Sequence, residues 1–103
     1  MIIAIASTEN HLKAMVDPHF GRCNWFFLHN TETLENQFIE NTVRNHQEKA
    51  GCDVAKLLID KNINIAIAGR FGAKVVDMFR QNNIQMVIPE TEKTVKEIIN
   101  QIK

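Results

Sequence analysis

Two runs, "MIIAIAS" at 1–7 and "NINIAIAG" at 62–69, constrain this chain more than anything else in it. Both alternate with a period of two, yet neither has a polar face. Ile3 and Ile5 stand opposite Ile2, Ala4 and Ala6 in the first run; in the second, Ile63, Ile65 and Ile67 stand opposite alanines. A half-wet strand reads apolar–polar, whereas a strand apolar on both faces is covered on both. The chain must therefore supply cover for two sides of one sheet. Its 103 residues suffice for one domain, spanning 1–103, with a core that needs no staples.

The remaining segments provide that cover. "NWFFLH" (24–29) reads as a second strand, "NTET" as a turn, and "LENQFIEN" (34–41) as a third strand, so the second and third form an antiparallel hairpin. Residues 50–61 place Val54, Leu57 and Leu58 on one helical stripe, and residues 71–82 turn Val75, Val76 and Phe79 inward. "NIQMVIP" (83–89) is a fifth strand. A last helix carries Val95, Ile98, Ile99 and Ile102 at i, i+3, i+4 and i+7, and Thr94 and Glu97 have capping-box spacing at its start. The order β-β-β-α-β-α-β-α predicts an α/β domain of three layers, α/β/α. With strands one, four and five parallel and the hairpin beside strand one, the five-stranded mixed sheet has order 3-2-1-4-5, only strand 2 antiparallel. Strands one, three and four then end at one edge. The loops 8–23, 41–51 and 69–72 meet there, at the carboxyl edge where open α/β sheets bind ligands.

Composition removes several partners. Twelve basic residues balance twelve acidic ones, so no overall field draws the chain to nucleic acid or to an anionic membrane. The apolar runs are too short to span a bilayer. The start of the chain lacks the basic-then-apolar pattern of an export signal, which points to the cytoplasm. There Cys23 and Cys52 stay reduced, and two cysteines make no disulfide framework.

The reactive side chains cluster on the predicted rim. "DPHFGRC" (17–23) combines turn residues with His19, Arg22 and Cys23. Pro18 starts a turn, Phe20 plugs the core and Gly21 is expected at positive φ. Imidazole and thiolate are donors to soft metals, so His19 and Cys23 are candidates for ligand or substrate contact. Arg22 either clasps an anion or is simply solvated. "NTVRNHQEKAGC" (41–52) adds His46, a ligand or a surface residue, and Cys52, a donor or a semi-buried residue of the first helical turn. Without a C-x-x-C pair a structural zinc site is not expected. In "GRFG" (69–72), Gly69 and Gly72 bring backbone N–H groups to an anion or make a close strand–helix turn; the run is neither a dinucleotide fingerprint nor a P-loop. His11 and His29 read as surface residues. No triad or nucleophile elbow can be assigned, and strands one and four carry no carboxylate for two-metal nuclease chemistry. The expectation is one cleft ringed by His19, Cys23, His46 and Cys52, with Cys23 an accessible thiolate favoured by Arg22 and Arg70.

Together, "IAIAS", "DPHFGRCNWFFL", "IENTVRNH" with Gly51 following, and "INIAIAGRFGAKVVDMFRQNNIQMV" resemble the dinitrogenase iron–molybdenum cofactor biosynthesis family, over nearly the whole chain. That family includes NifX- and NafY-like proteins and the C-terminal domain of NifB-like proteins. The resemblance implies a ribonuclease H-like fold and a non-enzymatic carrier or chaperone. Its cargo would be an iron–sulfur or iron–molybdenum type cluster, or a precursor, bound in transit between cluster-donating and -accepting proteins. It implies cofactor-binding roles for His19, Phe20, Gly21, Arg22, Cys23, His46, Gly69 and Gly72; the donors expected at the metal, read from the residues themselves, are Cys23, His19, His46 and Cys52, in a monomer or homodimer. Arg70 stands where many relatives carry a second glycine, and Cys52 adds a thiol to a reduced glycine turn. The alternative is a small enzyme or sensor binding an anionic metabolite through Arg22, Arg70 and the 69–72 turn.

Overall fold

The computed structural model describes residues 1–46 and 49–102. In chain order its elements are β1 (Ile2–Ser7), β2 (Trp25–Asn30), β3 (Asn36–Glu40), α1 (Ala50–Asp60), β4 (Ile65–Ile67), α2 (Ala73–Gln81), β5 (Gln85–Val87) and α3 (Val95–Ile102). The sheet runs β3-β2-β1-β4-β5. β2 is antiparallel to both of its neighbours, while β1, β4 and β5 are mutually parallel. The order and directions are those expected. Among the described residues no helix is long and apolar enough to cross a membrane.

The two apolar faces of the central strands each have their own core. Ala4, Ala6, Ala66 and Ala68 share one with Phe26, with Val54 and Leu58 of α1, and with Val75 and Phe79 of α2. Ile3, Ile5, Phe27 and Ile67 turn the other way, against Val95, Ile98 and Ile99 of α3. The division follows from the strand period of two: small residues on one face make room for phenylalanine rings, and isoleucines on the other meet an aliphatic helix. α3 begins with the anticipated capping box. The Thr94 N–H donates to Glu97 Oε1 at 3.0 Å, and the Glu97 N–H donates back to Thr94 Oγ1 at 3.1 Å. These bonds to Thr94 hold the Glu97 carboxyl below its ordinary pKa.

α1 and α2 end alike, without glycine. Asn62 and Asn83 follow the two C-caps at φ +63° and +58°. After α1, the Ile63 N–H reaches back to the Leu58 carbonyl and the Asn62 N–H to that of Ile59; after α2, Ile84 bonds to Phe79 and Asn83 to Arg80. This is the Schellman pattern, with asparagine in the left-handed position and an apolar residue folded back onto the helix. It corrects the expectation for Ile63. That side chain joins the α1/α2 core rather than the face of Ile65 and Ile67, because the strand starts only at Ile65. Asn62→Val or Asn83→Val is expected to cost about 1–2 kcal/mol, since a β-branched residue tolerates positive φ poorly. Asn→Gly at either position should be close to neutral; urea denaturation of the valine and glycine variants makes the comparison.

Two further residues depart from expectation. Leu34 lies in the β2–β3 turn at φ +65°, so β3 is shorter than the 34–41 run suggested. His29 is buried, 3% exposed, and its Nδ1 is hydrogen-bonded to the Asn36 side chain directly across the hairpin. His11 remains exposed beside Glu9.

Candidate functional site

From β1 the chain turns toward β2, and from β4 it turns the opposite way, toward β5. Loops leaving adjacent parallel strands in opposite directions open a crevice at their carboxyl ends. The crevice here is a cleft of about 450 Å³. The loop after β1 contributes His19, Phe20, Gly21 and Arg22, the start of α1 contributes Gly51 and Cys52, and the loop after β4 with the first turn of α2 contributes residues 70–75.

Three segments meet this closely because two glycines let backbones touch. A Cβ on Gly21 would stand 2.7 Å from the Gly51 Cα, and one on Gly69 would stand 2.5 Å from the Pro18 Cα. No described glycine has positive φ, so Gly21 is needed for space and not for a left-handed turn, as had been expected. Gly69, packed on Pro18, lines with it a separate cleft of about 350 Å³. Gly72 is the N-cap of α2 in extended conformation, and a Cβ there would meet nothing within 4 Å. Phe20 forms the floor, 2% exposed, its ring 5.2–5.4 Å from those of Phe26, Phe71 and Phe79.

The electrostatics of the cleft are one-sided. Arg22, Arg70 and Lys74 line it, and no carboxylate does among the described residues. Neither α1 nor α2 has a side-chain cap. The first amide of α2 to find an acceptor within the helix is that of Val76, to the Gly72 carbonyl at 3.0 Å. The preceding N–H groups add the partial positive charge of the helix start. Arg22 also donates to the Arg44 carbonyl at 3.0 Å, which ties the rim to the turn after β3. A chain with no net charge has thus gathered cationic groups at one edge of its sheet.

The four expected donors do not form one ring. His19 and Cys52 line the cleft. The His19 ring is half-exposed, its backbone N–H held by Asp17 Oδ1 at 2.8 Å; Cys52 is partly exposed in the first turn of α1. His46 lies outside, its Nδ1 2.7 Å from Asp53 Oδ2. The neighbouring Gln47 and Glu48, part of the same motif, lie outside the described residues. Among the described residues no three of His, Cys, Asp and Glu are gathered as an ion site.

Cys23 differs most from expectation. It is fully buried in the α1/α2 core, and its Sγ donates to the Phe20 carbonyl at 3.4 Å. Burial above all, with the nearby Asp17 charge, pushes the thiol up from its ordinary 9.0 to about 12. Desolvation here outweighs any help from the arginines, so the accessible thiolate foreseen at this position is absent. In the native protein Cys52 should be labelled quickly by a thiol reagent and Cys23 far more slowly, as peptide mass spectrometry would read. The linkage has a definite sign: the folded state keeps a proton that the unfolded chain loses above pH 9.0. Stability from this group is complete below that pH and falls by up to about 1.4 kcal/mol per pH unit toward 12. Cys23→Ala should flatten that part of the stability profile.

Sequence reasoning missed three contributors. Phe71 and Lys74 were read only as part of a helix start, and Asn41 was not singled out. Asn41 is fully buried, and its side chain bonds to the backbone of the rim.

Residues 1–103 match the family model described as "Dinitrogenase iron-molybdenum cofactor". The chain belongs to this family. An uncharacterized protein of Methanocaldococcus jannaschii is 34% identical over 89 residues, covering 84% of this chain and 72% of that protein. Among solved structures, the apo form of the orange protein from Desulfovibrio gigas superposes with a TM-score of 0.89 at 22% identity, over 98% of this chain and 85% of the other. A NifB-like protein from Thermotoga gives a TM-score of 0.83 at 26% identity, again over 98% and 85%. For the family member described here, the likenesses to solved structures bear on the fold.

Proposed function

We propose that the protein is a non-enzymatic carrier in metallocofactor assembly. It would hold an iron–sulfur or iron–molybdenum type cluster, or a precursor, between the proteins that supply and receive it. The observation that carries this reading is the presence of two soft donors, the exposed His19 and the partly exposed Cys52, with Arg22, Arg70 and Lys74 in one cleft free of carboxylates among the described residues. Clusters rich in sulfide are anionic, and cationic side chains with helix-start amides offset that charge. Permanent clusters sit in cages of four thiolates, whereas two exchangeable donors allow the cargo to leave. The family's description and the NifB-like neighbour support the same role. A ribonuclease H-like fold is in keeping with the sheet order, and the absence of carboxylates from β1 and β4 favours binding over two-metal hydrolysis. In this reading the compartment is the cytoplasm, where Cys52 stays reduced.

Anaerobic incubation with iron and sulfide, followed by gel filtration, tests it. Wild type should retain broad visible absorption, and Cys52→Ser or the pair Arg70→Glu/Lys74→Glu should weaken uptake by about tenfold or more, at least 1.4 kcal/mol. A colourless wild type that instead binds inorganic phosphate would favour a small enzyme or sensor for an anionic metabolite. The same cations and the start of α2 lend that second reading its support.

A further inference from the structure

The residue after β3 is polar and yet has 0% exposure: Asn41. A buried carboxamide is costly unless its donors and its acceptor are all met. Asn41 meets them on two separate segments. Its Nδ2 donates to the Gly21 carbonyl at 3.1 Å and to the Cys23 carbonyl at 2.9 Å, while its Oδ1 accepts the Val43 N–H at 3.2 Å. A return path closes the ring. Arg22 Nη1 donates to the Arg44 carbonyl, and Arg44 Nη1 donates to the Asn41 carbonyl, each at 3.0 Å. No other side chain of this size offers two N–H donors and an acceptor together; aspartate has no donor when ionised and serine has one.

We propose that Asn41 is the positioning residue of the cleft: without lining it, the side chain grips the 21–23 backbone from behind and so sets where Gly21 and Arg22 stand against α1. Releasing the grip lets that segment swing away from α1 while the sheet stays folded. The consequence for cargo rests on the carrier reading; the grip itself does not.

Native-state labelling of Cys23 reads the grip directly, because this residue belongs to the gripped segment and its thiol is buried while the segment is held. In Asn41→Ser, Cys23 labelling should accelerate by about 10- to 100-fold, as expected for the loss of one or two buried hydrogen bonds. The rate should be flat in low urea, the mark of local opening, with Cys52 labelling unchanged. Asn41→Ala should go further, and if it does not fold the serine variant still decides. A Cys23 rate that climbs with urea along the global unfolding curve would overturn the proposal, because Asn41 would then serve only overall stability. Iron–sulfide uptake by folded Asn41→Ser should fall about tenfold; undiminished uptake would also overturn the positioning role. If wild type takes up no cluster, the carrier reading fails, and the labelling result still accepts or rejects the grip.

Discussion

Phe20→Ala is expected to lower folding stability by about 3–5 kcal/mol, the cost of deleting a fully buried aromatic side chain. The ring lies among Phe26, Phe71 and Phe79, and its removal leaves three aromatic neighbours around one void. These partners come from β2, from the loop after β4 and from α2, so little local collapse can fill the gap. Phe20→Leu keeps most of the volume and should cost under about 1.5 kcal/mol if neighbours repack. Urea denaturation of the two variants provides the comparison. An alanine cost no larger than the leucine cost would mean that the ring is not a plug.

The second large effect belongs to the glycine contacts. Gly21→Ala and Gly69→Ala are each expected to destabilise by about 1–3 kcal/mol, because the new methyl meets backbone atoms that cannot turn aside. Neither glycine has positive φ, so no conformational strain enters, and alanine's lower unfolded-state entropy opposes the loss only in part. Gly72→Ala is the internal control. Its Cβ would meet open space, and the change there is confined to a weaker helix start. Thermal melts should rank Gly72→Ala well above the other two. Equal melting temperatures would show that close backbone approach is not what these positions demand.

The layers and strand order were legible because they rest on short-range period. Alternating isoleucines and alanines in β1 and β4 require cover on both faces, and the helical stripes around Val54, Phe79 and Ile98 supply it. The site was legible only as far as topology brings the loops 8–23, 41–51 and 69–72 to one edge; of these, residues 19–22, Gly51 and 70–72 line the cleft. What remained hidden depends on direction and register. Cys23 follows Phe20 by three residues and dives into the same core, so residue type alone misjudged it. His29 is buried against Asn36 because of the pairing across the hairpin, which the run "NWFFLH" does not disclose. His46 finds Asp53 seven positions on, across the start of a helix, a spacing with no periodic signature. Asn41 looks like any polar residue closing a strand until its two carbonyl partners, eighteen and twenty residues earlier, are in place.

The meeting of β1 and β4 has a consequence for the order of events in folding. On one side of that seam lies a meander, β1-β2-β3, built from neighbours in the chain. On the other lie β4 and β5, joined to it by the pairing of Ile3 with Ile65. Contacts so remote in sequence carry the larger loop-closure cost, so the seam is expected to close late and to open before either half unravels. The cleft straddles it, with His19 and Arg22 on the meander's side and Arg70 and Lys74 on the other. A guest seated there bridges the two halves and acts as a clasp, favouring the docked arrangement by mass action. In the carrier reading, a guest that bridges the two sides is expected to slow the opening of this seam, which hydrogen exchange along β1 and β4 would register as added protection.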